Sequence, residues 1–211
     1  MYPYWQSSYF IYDNPYLMWN PTPVLSTTRN DSISKAAVDF KSYMRLLWEQ
    51  HVTWTRMVIL SLIFNLPDLD VAITRLLQNA PDMGNSIKPF YGENIARKYS
   101  DLIKDHLVIA ADLVKAAKAG NKSAASIAER KWYSNADEIV EFLHSIIPYL
   151  SKEGFRKMFY EHLALTKSEA VSILSKDYKS GVQMYDKIEK EALEMADAIS
   201  EGVIKQFPHM F

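Results

Sequence analysis

The strings LLWEQHV at 46–52, LIKDHLV at 102–108 and MFYEHLA at 158–164 place His51, His106 and His162 at near-equal intervals, each with an acidic residue one or two positions earlier. A period of roughly 55 residues is a signature of internal repetition and takes precedence over other readings of the fold. Downstream, RLLQNAPD, RKWYSNAD and KEALEMAD end on Asp82, Asp137 and Asp197, and each opens on a basic residue seven positions earlier, at Arg75, Arg130 and Lys190. The second and third units reach a proline at the same distance past the aspartate, Pro148 and Pro208, whereas the first has Pro89 and an additional Pro81. We read three helical hairpins, with approximate repeats at 44–98, 99–154 and 155–211.

The segments between breakers support that reading. From Asp31 onward the chain is almost free of glycine, and a first helix capped by Asn30 or Asp31 is expected to run until just before Pro67. Its apolar positions Met44, Leu47, Trp54, Val58 and Leu62 recur at three- and four-residue steps, which buries one face. Breaks at Asn79–Asp82, Tyr91-Gly92, Gly120-Asn121, 148–151, 176–181 and Pro208 then delimit helices at about 68–80, 82–91, 93–119, 122–147, 151–176 and 180–206. Gly120 with Lys115 and Lys118 before it has the form of a helix C-terminus. Short loops make sequential helices antiparallel neighbours. The expected architecture is an all-α, up-and-down bundle of about six helices in one domain, 31–211, preceded by an irregular arm at 1–30.

That arm has eight aromatic residues in its first nineteen positions and prolines at 3, 15, 21 and 23. It either packs its rings over the helical body or serves self-association.

Composition limits function mainly by exclusion. The 211 residues are 48% apolar and 23% charged, with 24 Lys and Arg against 25 Asp and Glu, so no charge excess points to nucleic acid. The absence of cysteine removes disulfides, thiolate nucleophiles and Cys-ligated zinc. The apolar run MVILSLIF at 57–64 is far short of the roughly 20 residues a spanning helix needs and is expected to be buried helix. No Gly-rich phosphate loop, Gly-x-Ser-x-Gly elbow or His-Glu-x-x-His pair is present.

In the second hairpin the interval from His106 to the expected helix end at Ala119 nearly equals that from the start of the returning helix, Lys122, to Asp137. At about 1.5 Å of rise per residue the two side chains lie at nearly one height, and the third hairpin gives a similar count. Three hairpins would then bring His51, His106, His162, Asp82, Asp137 and Asp197 into one polar layer. Buried ionisable groups must be paired or hydrogen-bonded, so the layer is a pairing network, a divalent metal site suited to zinc or iron, or a small-ligand pocket. Arg56, Asn65, Asp112, Asn135, Thr166 and Glu169 are polar residues in apolar surroundings that extend it, and Arg56 is expected to pair with Asp112 or Asp137.

The strings LWEQHVTWTR, HLVIAADLVKAAKAG, KWYSNADEI, EHLALTKSEAV and ALEMADAISEGVIKQFP resemble a family of small helical proteins of spore-forming bacteria, over about residues 44–208 and without the arm. Members have carried an acetylglutamate kinase label, which this chain does not merit: that kinase is an α/β enzyme with glycine-rich substrate loops. The resemblance implies a cytoplasmic or spore-associated bacterial protein and supplies no activity. The favoured expectation is a non-enzymatic bundle that binds a divalent metal or small ligand at the His/Asp layer. The alternatives are a structural or assembly protein and, third, a hydrolase or oxidoreductase using the same residues.

Overall fold

The computed structural model describes residues 34–211, so the aromatic arm lies outside the described residues, as does any role for it in self-association. Six helices follow in order: α1 Lys35–Phe64, α2 Leu69–Tyr91, α3 Glu93–Lys118, α4 Lys122–Ile146, α5 Lys152–Leu174 and α6 Tyr178–Gln206, with a final 3-10 turn at Pro208–Met210. No strand occurs among the described residues. Helix starts are fixed by side-chain caps: Ser34, Asn121, Ser151 and Asp177 each accept from a backbone N–H three residues on. Helix ends use the left-handed region at Asn65 (φ 54°) and Gly120 (φ 69°), the latter where the sequence places a stop.

Two expectations require correction. The first helix begins at Lys35 on a Ser34 cap, several residues later than Asn30 or Asp31. Residues 69–91 form one helix rather than two, with Pro81 and Pro89 inside it. Proline removes a helix hydrogen bond and crowds the carbonyl four residues earlier, which ordinarily ends a helix. Here the residues flanking Pro81 are anchored by burial: Leu76, Ala80, Met83 and Ile87 are each 5% exposed or less, so packing holds the helix through the defect.

Each helix packs against the next in sequence, and α6 packs back on α1, closing a ring. Inside the ring α1, α3 and α5 also touch one another. In an up-and-down bundle alternate helices run parallel, so three parallel inner helices are backed by α2, α4 and α6. The sequence period is visible in the core. Met44, Tyr99 and Phe155 occupy one level of the inner helices, and the evenly spaced Ala80, Ala136 and Ala192 occupy one level of the outer ones, all with 1% exposure or less. Small residues set the closest approach: a Cβ on Gly84 of α2 would lie 2.5 Å from the Ala96 carbonyl oxygen of α3. No helix among the described residues is long and apolar enough to cross a membrane.

Candidate metal centre

His51, His106 and His162 lie on α1, α3 and α5, the three inner helices, and all are buried, with 2–3% exposure. Their near-equal spacing in sequence is one hairpin per step, so each returns to the same height on the next inner helix. The rings form a near-equilateral triangle, with centroids 6.1 Å (His51–His106), 5.7 Å (His51–His162) and 6.4 Å (His106–His162) apart. One ligating atom from each lies within 4.8 Å of the others, and this is the group of metal-ligating side chains found among the described residues.

Each imidazole is held from outside by a side-chain oxygen on the helix behind it. Nδ1 lies 3.0 Å from Asn79 Oδ1 in His51, 3.0 Å from Asn135 Oδ1 in His106 and 3.0 Å from Glu191 Oε2 in His162. Asn79 Nδ2 donates to the Leu47 carbonyl and Asn135 Nδ2 to the Leu102 carbonyl, in both cases the residue four before the histidine. Those amide donors fix which end of each asparagine faces the ring. An amide oxygen can only accept, so the imidazole proton sits on Nδ1 and the lone pair on Nε2. Trp132 uses that lone pair in His106, donating its indole N–H to Nε2 at 3.2 Å. Glu191 breaks the pattern: a carboxylate has no proton to give a carbonyl, and its Oε1 is buried without a partner.

Burial dominates the electrostatics. Desolvation, reinforced by His162 nearby, pulls His51 down from its ordinary value to about 3, against a smaller opposing effect from the Asn79 hydrogen bond. His106 is held well below 6.5, first by desolvation and then by the two neighbouring histidines. Both rings are neutral near pH 7, the state in which imidazole ligates metals. On the N-terminal side the triangle is closed by aromatic rings three residues earlier: Trp48 stands 5.8 Å from His51 and 6.5 Å from His162, and Phe159 stands 5.3 Å from His106.

The aspartates expected in this layer are elsewhere. Asp137 accepts from Arg156 at 3.0 Å and from Tyr160 at 3.0–3.1 Å on α5. Asp197 pairs with Arg45 at 2.7 Å, and Asp82 accepts from Gln78 at 3.2 Å. For Asp137 and Asp197 the reason is helical phase, whereas Asp82 stands one turn beyond Asn79. Asp137 follows the inward-facing Asn135 by two residues, about 200° around the helix, which turns it outward. Asp197 follows Glu191 by six residues, again onto another face. The members in register are Asn79, Asn135 and Glu191, which stand at equal intervals and are each followed by a buried alanine. The strings NA, NA and EA carried that signal.

The other polar residues divide. Asn135 belongs to the layer directly. Arg56 is bound to Glu169, not to Asp112 or Asp137, and lies over the Tyr185 ring at 5.0 Å. Burial raises the Glu169 carboxyl while Arg56 opposes the rise. Asp112 is exposed beside Lys115, and Asn65 is the α1 cap, accepting from Lys118 at 2.6 Å. Thr166, one turn beyond His162, is buried with an unpartnered hydroxyl.

Compared with known proteins, the chain matches no family model, no curated protein and no solved structure.

Proposed function

We propose that the protein binds one divalent transition-metal ion through Nε2 of His51, His106 and His162, zinc or iron(II) being the metals suited to an all-imidazole set. The observation that carries this reading is the shared orientation of the rings: each Nδ1 faces an oxygen on an outer helix, and for the two rings held by anchored asparagines this leaves Nε2 as the lone-pair atom. Metal-ligating histidines characteristically make this outer hydrogen bond, which sets the tautomer and raises ligand basicity. Three protein ligands also leave a position open in a tetrahedral site. At zinc–nitrogen distances of about 2.0–2.1 Å, tetrahedral ligand atoms stand about 3.4 Å apart, so loading would tighten the triangle from its present 4.8 Å limit by small ring rotations. The buried Glu191 carboxylate gives the cation a nearby counter-charge.

Metal analysis and calorimetric titration of untagged full-length protein with Zn²⁺, Fe²⁺ and Co²⁺ test the proposal. One ion per chain is expected, lost in His106→Leu and His162→Leu variants that remain helical. No stoichiometric uptake of any of the three would overturn it.

A second reading has its own supporting observation. The Trp132 indole already occupies the His106 lone pair, as expected if the layer serves only to fix helix register in a structural or assembly protein. The same titration decides between them. We further propose, from the resemblance alone, a cytoplasmic or spore-associated bacterial protein, and immunolocalisation tests this.

A further inference from the structure

Toward the C-terminal ends of α1, α3 and α5 the apolar core is in two parts. Ile59, Leu62, Val114, Ala170 and Ile173 form a cluster of their own, apart from the main core. A cavity of ≈ 280 Å³ separates them, walled by Ile59, Leu62 and Val114 of the small cluster and by Val58, Leu107 and Trp132 of the main core. None of the three histidines lines it, so it is distinct from the proposed metal centre.

The repeat shows which side chains are missing. The Asn79–Asn135 interval aligns α2 with α4 and sets Ala125 and Glu129 of the cavity lining where the first hairpin has Leu69 and Ile73, both packed on the core. The His51–His106 interval likewise sets Ala117, also in the lining, where α1 has Leu62, and the next step along the repeat reaches Ile173; both of these larger residues are buried. The second hairpin thus withholds three large apolar side chains from one place. Protein interiors are otherwise close-packed, and the walls of such a gap forgo contacts that an apolar occupant restores.

The mouth lies between α4 and α5. Val171 is 51% exposed there, and the Glu129 and Lys167 side chains, 2.6 Å apart across the two helices, are 32% and 44% exposed, whereas Ile59, Leu62, Leu107 and Trp132 are 4% exposed or less. Lys122, exposed at the start of α4, also belongs to the lining. Two lysines against one glutamate leave the mouth with a net positive charge, and an ion pair this exposed costs little to part. The volume is nearly twice the ~150 Å³ of an apolar cavity that admits benzene, so it holds roughly ten non-hydrogen atoms: one acyl chain, not the two of a bilayer lipid.

We infer that this cavity takes up a single-chain anionic amphiphile of the medium-chain fatty acid class, its apolar tail between the two core clusters and its charged head outside, at Lys122 and Lys167. The tail takes the place of the side chains that the second hairpin lacks. The inference is independent of metal binding.

The test uses full-length metal-free protein, titrated calorimetrically with decanoate and, separately, with decanol, both below the concentrations at which they aggregate. Saturable 1:1 decanoate binding that raises the melting temperature is expected, and decanol should bind about tenfold more weakly for want of the charge. Ala117→Leu combined with Ala125→Leu restores side chains of the first hairpin; it should abolish decanoate binding while the ligand-free variant melts at or above the parent temperature. Lys122→Gln combined with Lys167→Gln leaves the interior untouched and should weaken decanoate about tenfold without changing the affinity for decanol. Absence of decanoate binding overturns the inference. So does decanoate binding that survives the leucine pair in a folded variant, decanol binding as tight as decanoate, or indifference of decanoate to the loss of both lysines.

Discussion

The Trp132 indole nitrogen stands 3.2 Å from Nε2 of His106, so one of three candidate metal ligands is occupied by an internal hydrogen-bond donor. The outer helix α4 thereby competes with any ion for the lone pair. A neutral hydrogen bond of this kind contributes about 0.5–1.5 kcal/mol net. Trp132→Phe is therefore expected to raise Zn²⁺ affinity roughly three- to tenfold while lowering the melting temperature of the metal-free protein. Calorimetric titration and thermal melts of the variant measure the two effects independently, and weaker zinc binding would contradict the competition.

Glu191 replaces the asparagine found at the other two equivalent positions. Glu191→Gln restores an amide without changing the chain length and removes a buried carboxylate that has one orphaned oxygen. The metal-free variant should melt higher than the parent. Its metal affinity should fall about 10- to 100-fold, the usual effect of losing an outer partner of a ligating histidine. Opposite signs for stability and affinity are the signature to look for in melts and titrations of the same preparation.

Metal-free protein should lose stability as the solution is acidified through the ordinary histidine range. His51 has a folded value of about 3, so between about pH 6.5 and 3 the unfolded chain binds a proton that the folded chain refuses. His106 adds the same sign. Stability is thus fully present above 6.5 and declines below it, by about 1.4 kcal/mol per pH unit for each such group. Urea unfolding at pH 7, 6 and 5 gives the slope, which His51→Leu should reduce.

Arg56 and Glu169 join α1 to α5 below the histidines, and the Glu169 side chain is almost wholly buried. Arg56→Ala leaves that carboxylate without its counter-charge and is expected to cost about 3 kcal/mol. The double replacement Arg56→Met with Glu169→Leu should recover most of the loss, because the pair is replaced by packing. Chemical denaturation of the two variants measures both values, and additive losses in the double variant would refute the account.

Gly84→Ala tests the approach of α2 to α3. The added methyl would meet the Ala96 carbonyl at 2.5 Å, backbone that cannot swing aside, so a loss of about 1–3 kcal/mol is expected in the same assay.

The histidine period was legible because one hairpin per step returns a residue to the same height, and the structure brings all three rings together as that spacing requires. The partners were not legible from the recurring aspartates, because position around the helix, not residue type, decides which side chain faces the rings. Two residues separate Asn135 from Asp137 in sequence, but about 200° separates them around α4. In the third unit the recurring aspartate, Asp197, stands six positions past the in-register Glu191 and so on another face of α6. Pro81 misled for a different reason: local backbone rules foresaw a break, and the burial that overrides them comes from helices distant in sequence. The pocket bordered by Ile59, Leu62, Val114 and Leu174 was not legible in the sequence, because empty space depends on side chains from five helices failing to meet.

The seam between α6 and α1 has a consequence for synthesis. Lys41 reaches Glu201 and Arg45 reaches Asp197 across it, contacts that join the first helix to the last, and the third histidine arrives only with α5. A chain emerging from the ribosome can pair α1 with α2 and α3 with α4, but its first helix keeps one flank bare until the last has been made. The histidine triangle therefore cannot form before α5 has been made, and Glu191, which holds the third ring, follows only with α6.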